Sequence, residues 1–131
     1  MAQTREALTY LDTHVVAWLY AGVARKLSAV AKRAIDRDEL RIAPIVQLEL
    51  EYLFETGRVR ERAAPVVATL IDRFGLVICD RDPAQVVARA CDLSWTRDAF
   101  DRLIVAQASV GANVLLTADQ AIAEHYPKAR W

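Results

Sequence analysis

Short runs of apolar residues alternate along this chain with longer stretches whose apolar positions recur at helical spacing. Ala7 to Leu11 (ALTYL) reads as a first strand, and the apolar segment Thr13 to Tyr20 suits a helix. Ser28 to Arg37 (SAVAKRAIDR) reads as a helix opened by a capping serine. Leu40 to Ala43 is a short strand that stops at Pro44, and Ile45 to Glu55 is a helix closed by Gly57 at its C′ position. The pattern predicts a further helix from about Arg60 to Arg73, ending before Gly75, and a buried strand over Leu76 to Cys79. Asp82-Pro83 opens the next helix, with proline in its first turn. Another helix covers Ala99 to Val110. Gly111-Ala112-Asn113 then turns the chain into Val114 to Thr117, the last clear strand, and a short helix follows from about Asp119 to Glu124. Strands alternating with helices of this length imply an α/β fold: a three-layer α/β/α sandwich around a mostly parallel sheet.

Composition narrows the class. At 131 residues the expected organisation is a single domain over 1–131, and 54% hydrophobic residues suffice for a core. The 17 basic and 17 acidic residues cancel, which argues against a protein that grips nucleic acid by bulk positive charge. Local basic runs remain, Arg58, Arg60 and Arg62 in one place and Arg25, Lys26, Lys32 and Arg33 in another; both read as solvated helix faces. The two cysteines, Cys79 and Cys91, lack metal-ligand spacing and read as inert core residues. The N-terminal MAQTREALTYLDT has no apolar h-region of a signal peptide, and no run approaches the ~20 apolar residues of a membrane span, so the expected location is cytoplasmic.

Acids stand where folding does not ask for them. Asp12 directly follows the first strand and Asp119 follows the Val114–Thr117 strand, which in an open parallel sheet places both at the rim where ligands gather. Glu49 lies within the apolar stripe of Val46, Leu50 and Leu53, whereas Glu51 and Glu55 fall on the polar side of that helix. Asp101 precedes Ile104, Val105 and Ala108 at i+3, i+4 and i+7, the same anomaly. Each acid alone has a plainer explanation. Asp12 and Asp119 could cap helices, Asp101 could be a first-turn acid behind a capping Asp98, and Glu49 could pair with an arginine. One oxygen-rich cation site accounts for all four together, and oxygen donors without His or Cys suit Mg²⁺ or Mn²⁺ rather than zinc.

The segments LDTHVVAWL (11–19), LELEYLFE (48–55), RDAFDRLIVAQA (97–108) and LLTAD (115–119) resemble, in order, the four motifs of PIN domains, and most closely those of the VapC-type toxins of bacterial VapBC toxin–antitoxin pairs. The resemblance implies a Mg²⁺- or Mn²⁺-dependent endoribonuclease. In it Asp12, Glu49, Asp101 and Asp119 are catalytic, Asp12, Asp101 and Asp119 bind the metal, and Asp98, Thr117 and Thr13 are accessory. It also implies an RNA substrate, a homodimer, and a cognate VapB-like antitoxin that places a basic side chain in the acidic pocket. The chain departs from many relatives at Ala99, where they have proline; no ligand is lost. A PIN-like module that binds RNA or protein without cutting is the alternative. A phosphatase-like hydrolase is disfavoured because Asp12 is followed by Thr13 and His14 rather than a second acid. His14 reads as a hydrogen-bonded structural residue, His125 as surface, and Trp18 and Trp95 as packing residues, although Trp18, Trp95 and Trp131 could each stack on a base.

Overall fold

Five parallel strands form the centre of the computed structural model, which describes residues 7–131. The expectation about the N-terminal segment lies partly outside that range. The strands are β1 (Leu8–Leu11), β2 (Glu39–Ile42), β3 (Val77–Ile78), β4 (Val114–Leu116) and β5 (Ala129–Arg130), in the order β3-β2-β1-β4-β5. Seven helices join them: α1 (Thr13–Ala21) and α2 (Ala29–Arg37), α3 (Ile45–Glu55) and α4 (Ala63–Phe74), α5 (Pro83–Cys91) and α6 (Ala99–Val110), and α7 (Gln120–His125). The chain steps outward from β1 through β2 to β3, then crosses back to place β4 on the other side of β1. Because parallel crossovers are right-handed, that reversal requires helices on both faces of the sheet. The arrangement is the expected three-layer α/β/α sandwich. It also creates a switch point between the carboxyl ends of β1 and β4, where Leu11 pairs with Leu116.

The central strands are buried on both faces, as a covered parallel sheet demands. Tyr10, Leu11, Leu40, Ile42, Leu115 and Leu116 are all buried, and Val15, Val16, Val46, Leu50, Leu70 and Ile104 pack on them from the helices. Ser28 caps α2 through Ala31 N at 3.0 Å, Asp82 caps α5 ahead of Pro83, and Gly57 takes the left-handed backbone (φ +78°) just beyond α3.

Four expectations need correction. The helix expected from Arg60 begins only at Ala63, because no residue near 60 caps it; instead Glu51, from α3, accepts the Ala63 N–H at 3.1 Å and the Arg62 Nε–H at 3.0 Å. Arg58 and Arg60 therefore sit in a loop, not on a solvated helix face. Val114–Leu116 is not the last strand, since β5 pairs beyond it: a two-residue strand is too short to show periodicity. Cys91 is exposed at the end of α5, whereas Cys79 is the buried residue expected and accepts a 3.0 Å hydrogen bond from the Tyr10 hydroxyl.

Arg81, between β3 and α5, ties three parts of the fold together. Its guanidinium donates to the Gln107 carbonyl and to Asn113 Oδ1 (2.7 Å), and stands 5.3 Å from the centre of the Tyr10 ring. Truncating Arg81→Ala should lower unfolding stability by about 1–3 kcal/mol, read as a fall in urea midpoint with an unchanged m-value.

Candidate active site

The first acid owes its position to the sheet. Asp12 follows β1 directly; its N–H bonds to the Leu116 carbonyl at 3.0 Å, continuing the β1–β4 ladder by one residue to the switch point. Its side chain is buried, 6% exposed. Oδ1 accepts the Thr13 N–H at 2.8 Å and caps α1, while Oδ2 accepts the Thr117 hydroxyl at 2.7 Å. Thr117 Oγ1 in turn accepts the Asp119 N–H at 3.0 Å, and Asp119 Oδ1 caps α7 through the Ile122 N–H at 3.0 Å. A continuous hydrogen-bond chain thus links the ends of β1 and β4 through both acids.

The other acids come from helices. Asp98 caps α6, its Oδ1 accepting the Asp101 N–H at 3.1 Å, and Asp101 is half-buried in the first turn of that helix. Glu49 is half-buried on α3 between buried Val46, Leu50 and Leu53. Among the described residues the ion pairs are Arg41–Glu39 and Arg62–Glu51, so Glu49 has no arginine partner, whereas Glu51 on the polar side of the helix is engaged by Arg62.

These side chains lie close enough to shift one another's titration. Burial pushes Asp101 up to about 7, and the negative charges of Asp98, Asp12, Asp119 and Glu49 add to the rise. Asp12 is raised chiefly by burial, against hydrogen bonds from Thr117 and Thr13 and the nearby His14, with Asp119 raising it further. Glu49 is raised by burial first, and then by Asp12 and Asp98, while Thr13 and His14 pull it down. The Thr13 hydroxyl is buried and completes no hydrogen bond, yet stands close enough to Glu49 to influence it. Five carboxylates and an orphaned hydroxyl thus lie near enough to influence one another, and among the described residues none of the five is in an ion pair.

The helix-capping explanation and the cation-site explanation turn out not to compete. Asp12, Asp98 and Asp119 all cap helices: Asp12 and Asp119 those that leave β1 and β4, Asp98 the helix α6 that leads into β4. Among the described residues no group of three or more His, Cys, Asp or Glu side chains is drawn together closely enough to hold a metal ion as it stands. Capping uses one oxygen each of Asp98 and Asp119, and Asp101 and Glu49 keep theirs. Hard oxygen donors open to solvent on one side, with Asp12, Glu49 and Asp101 held at raised pKa, suit a Mg²⁺-like ion, which takes few protein ligands and retains waters. His14 departs from its expectation: it is exposed, makes a tilted ring contact with Trp18 (6.0 Å) and adjoins the acids. The spacing of His14 from Asp12 was the available signal, since the first turn of α1 begins at the acid itself. His125 is exposed as expected, with its ring stacked flat on Trp95 at 4.7 Å.

Thr117 supplies a test of this arrangement. Thr117→Val keeps the volume but removes both hydrogen bonds of the hydroxyl, which should cost about 1–3 kcal/mol and raise the Asp12 pKa further. Thermal unfolding and carboxylate titration by NMR read the two effects, and Thr117→Ser should restore both.

Comparison with known proteins agrees with the family resemblance. The sequence model of the PIN domain matches residues 9–127. The chain is 35% identical over 118 residues to Ribonuclease VapC22 of Mycobacterium tuberculosis, covering 88% of this chain and 89% of that protein. In structure it is similar to VapBC2 of Rickettsia felis bound to a promoter DNA fragment (TM-score 0.68, 17% identity, 93% of this chain and 95% of the other). It is similar also to a toxin–antitoxin complex from Klebsiella pneumoniae (TM-score 0.64, 17% identity, 96% and 97%). At those identities the two structures speak for the fold alone. With the acids at the β1–β4 switch point and a match spanning nearly its whole length, the chain belongs to the PIN domain family.

Proposed function

We propose that this protein is a metal-dependent endoribonuclease, the toxin of a type II toxin–antitoxin pair, built as one PIN-like domain over 1–131. The observation that carries the reading is the group of mutually repelling carboxylates, Asp12, Glu49, Asp98, Asp101 and Asp119, none of which is in an ion pair among the described residues. A site of this kind repels a bare phosphodiester and needs a cation before it can bind one. The similarity to a protein named as a ribonuclease supports RNA as the substrate.

Asp12, Asp101 and Asp119 would hold Mg²⁺ or Mn²⁺, with Glu49 completing the catalytic set and Asp98, Thr117 and Thr13 as accessory residues. When bound, the ion supplies positive charge at the scissile phosphate and makes an attacking water more acidic. The remaining work belongs to the chain. Thr117 and the Thr13 N–H hold Asp12 in one orientation, so that its charge is in place before substrate arrives. Glu49, raised by burial and free of capping bonds, would accept a proton from the attacking water.

Similarity to VapBC complexes supports a VapB-like antitoxin as partner, with a basic side chain entering the acidic pocket. Exposed Leu48 and Tyr52, one turn apart on α3, offer an apolar surface for a homodimer. Among the described residues no helix is long and apolar enough to cross a membrane, in keeping with a cytoplasmic setting. The test is cleavage of a mixed RNA panel by antitoxin-free protein. Cutting that depends on Mg²⁺ or Mn²⁺ and stops in EDTA supports the nuclease, and no cutting at any metal concentration leaves the non-cutting binding module.

A further inference from the structure

Beside the acids lies a cleft of about 610 Å³ between α1 and the loop that leads from α3 to α4. His14 stands at its head, two residues after Asp12, and Leu53 in its wall is one helical turn beyond Glu49. The cleft therefore continues the carboxylate site along the groove between α1 and α3. Its charge is opposite to that of its neighbour. Lys26, Arg58 and Arg60 line it against the single carboxylate of Glu61, in a chain whose overall charge is zero. Among the described residues Arg58 and Arg60 form no ion pair, while Arg62 next in the loop is held by Glu51.

The wall between these cations is aromatic. Trp18 is half-buried, tilted against Trp131 at 5.8 Å, with the Lys26 ammonium 5.3 Å from its ring centre. Lys26 is exposed. A nucleobase moving onto Trp18 would exchange that cation–π contact for stacking, and bring the ammonium against a flanking phosphate. An acidic centre that repels phosphate gains most from cations placed just outside it, and a cleft of this volume is in the range that holds a small ligand.

We propose that this cleft binds the single-stranded RNA segment next to the scissile phosphate, with Arg58 and Arg60 on backbone phosphates and Trp18 stacked on one base. The proposal rests on the ribonuclease reading above and adds the residues that set affinity and register.

The test uses a fluorescently labelled single-stranded RNA, cleaved in Mg²⁺ and measured by anisotropy in Ca²⁺. In the double variant Arg58→Ala/Arg60→Ala, KM should rise about tenfold while kcat stays within about threefold. The slope of log(kcat/KM) against log salt should flatten by about 1.4, two phosphate contacts at about 0.7 each. Trp18→Leu should weaken binding about 5- to 100-fold. In the wild type, an abasic nucleotide at one position of the RNA should cost as much, and the two changes together no more than either alone. If Trp18→Leu does not fold, the arginine pair and the abasic scan carry the test. Constants and salt slope within twofold of wild type in the arginine pair, with no abasic position that matters, overturn the proposal and leave the cleft to a protein segment. Should the wild type cut no RNA, the ribonuclease reading fails, and the anisotropy arm still decides the cleft: equal affinity in the arginine variant overturns it, and weakened affinity supports it.

Discussion

Asp12→Asn should abolish metal-dependent RNA cleavage, by about 10²–10³-fold or more, while the protein stays folded. Asparagine keeps an acceptor for the Thr13 N–H and a polar atom opposite Thr117, so the cap on α1 survives. What it removes is a buried negative charge beside Asp119 and Glu49. Thermal stability should therefore be unchanged or higher, because an unpaired buried charge is costly to the fold. Asp12→Ala makes the contrast: it loses the cap as well, and should cost about 1 kcal/mol in addition to activity. Rates on one RNA substrate, set beside melting temperatures of the three proteins, separate the two roles. An asparagine variant that cuts like wild type would reduce Asp12 to a helix cap and remove the centre of the proposed site.

The second large effect is on stability and runs opposite to intuition: Asp101→Asn should stabilise the metal-free protein at alkaline pH. The folded-state pKa of Asp101 is about 7, against an ordinary value of 3.8. Below the ordinary value the side chain is protonated whether the chain is folded or not, and its titration contributes nothing. As pH rises from there toward 7 the unfolded chain releases the proton and the folded one keeps it, so stability falls; above 7 the full penalty is present. The shift corresponds to at most about 4 kcal/mol, and for a half-buried group that solvent partly screens about 1–2 kcal/mol is the reasonable expectation. In EDTA at pH 8 the asparagine variant should melt several degrees above wild type, and the gap should close near pH 4. Mg²⁺ should raise the wild-type melting temperature at pH 8 and barely move the variant's. A variant less stable than wild type at pH 8, or a gap independent of pH, would show that Asp101 does not share a field with the other acids.

Much of this architecture is legible in the chain because it rests on local rules. The helix over 45–55 is bounded as Pro44 and Gly57 suggest, and the helix over 99–110 starts where Asp98 caps it. The apolar stripe that makes Glu49 anomalous is buried as its spacing requires. Elements whose ends depend on distant residues were not legible. The start of α4 is set by Glu51, twelve residues back on another helix, and β5 exists because β4 offers it an edge.

The same division runs through the site. The order of strands and helices, the acids after the first strand and before the last helix, and the two acids on apolar helix faces are properties of the sequence alone, since periodicity and position along the chain suffice to find them. Tertiary structure decided that β1 and β4 lie side by side, which brings Asp12 to Thr117 across 105 positions of sequence. It decided also that three of the acids cap helices while sharing one electrostatic field, that His14 is exposed beside that field, and that Arg58 sits in a loop lining a cleft rather than on a helix face. Pairing of strands and sharing of charge depend on distances through space, and a chain read residue by residue carries distances only along itself.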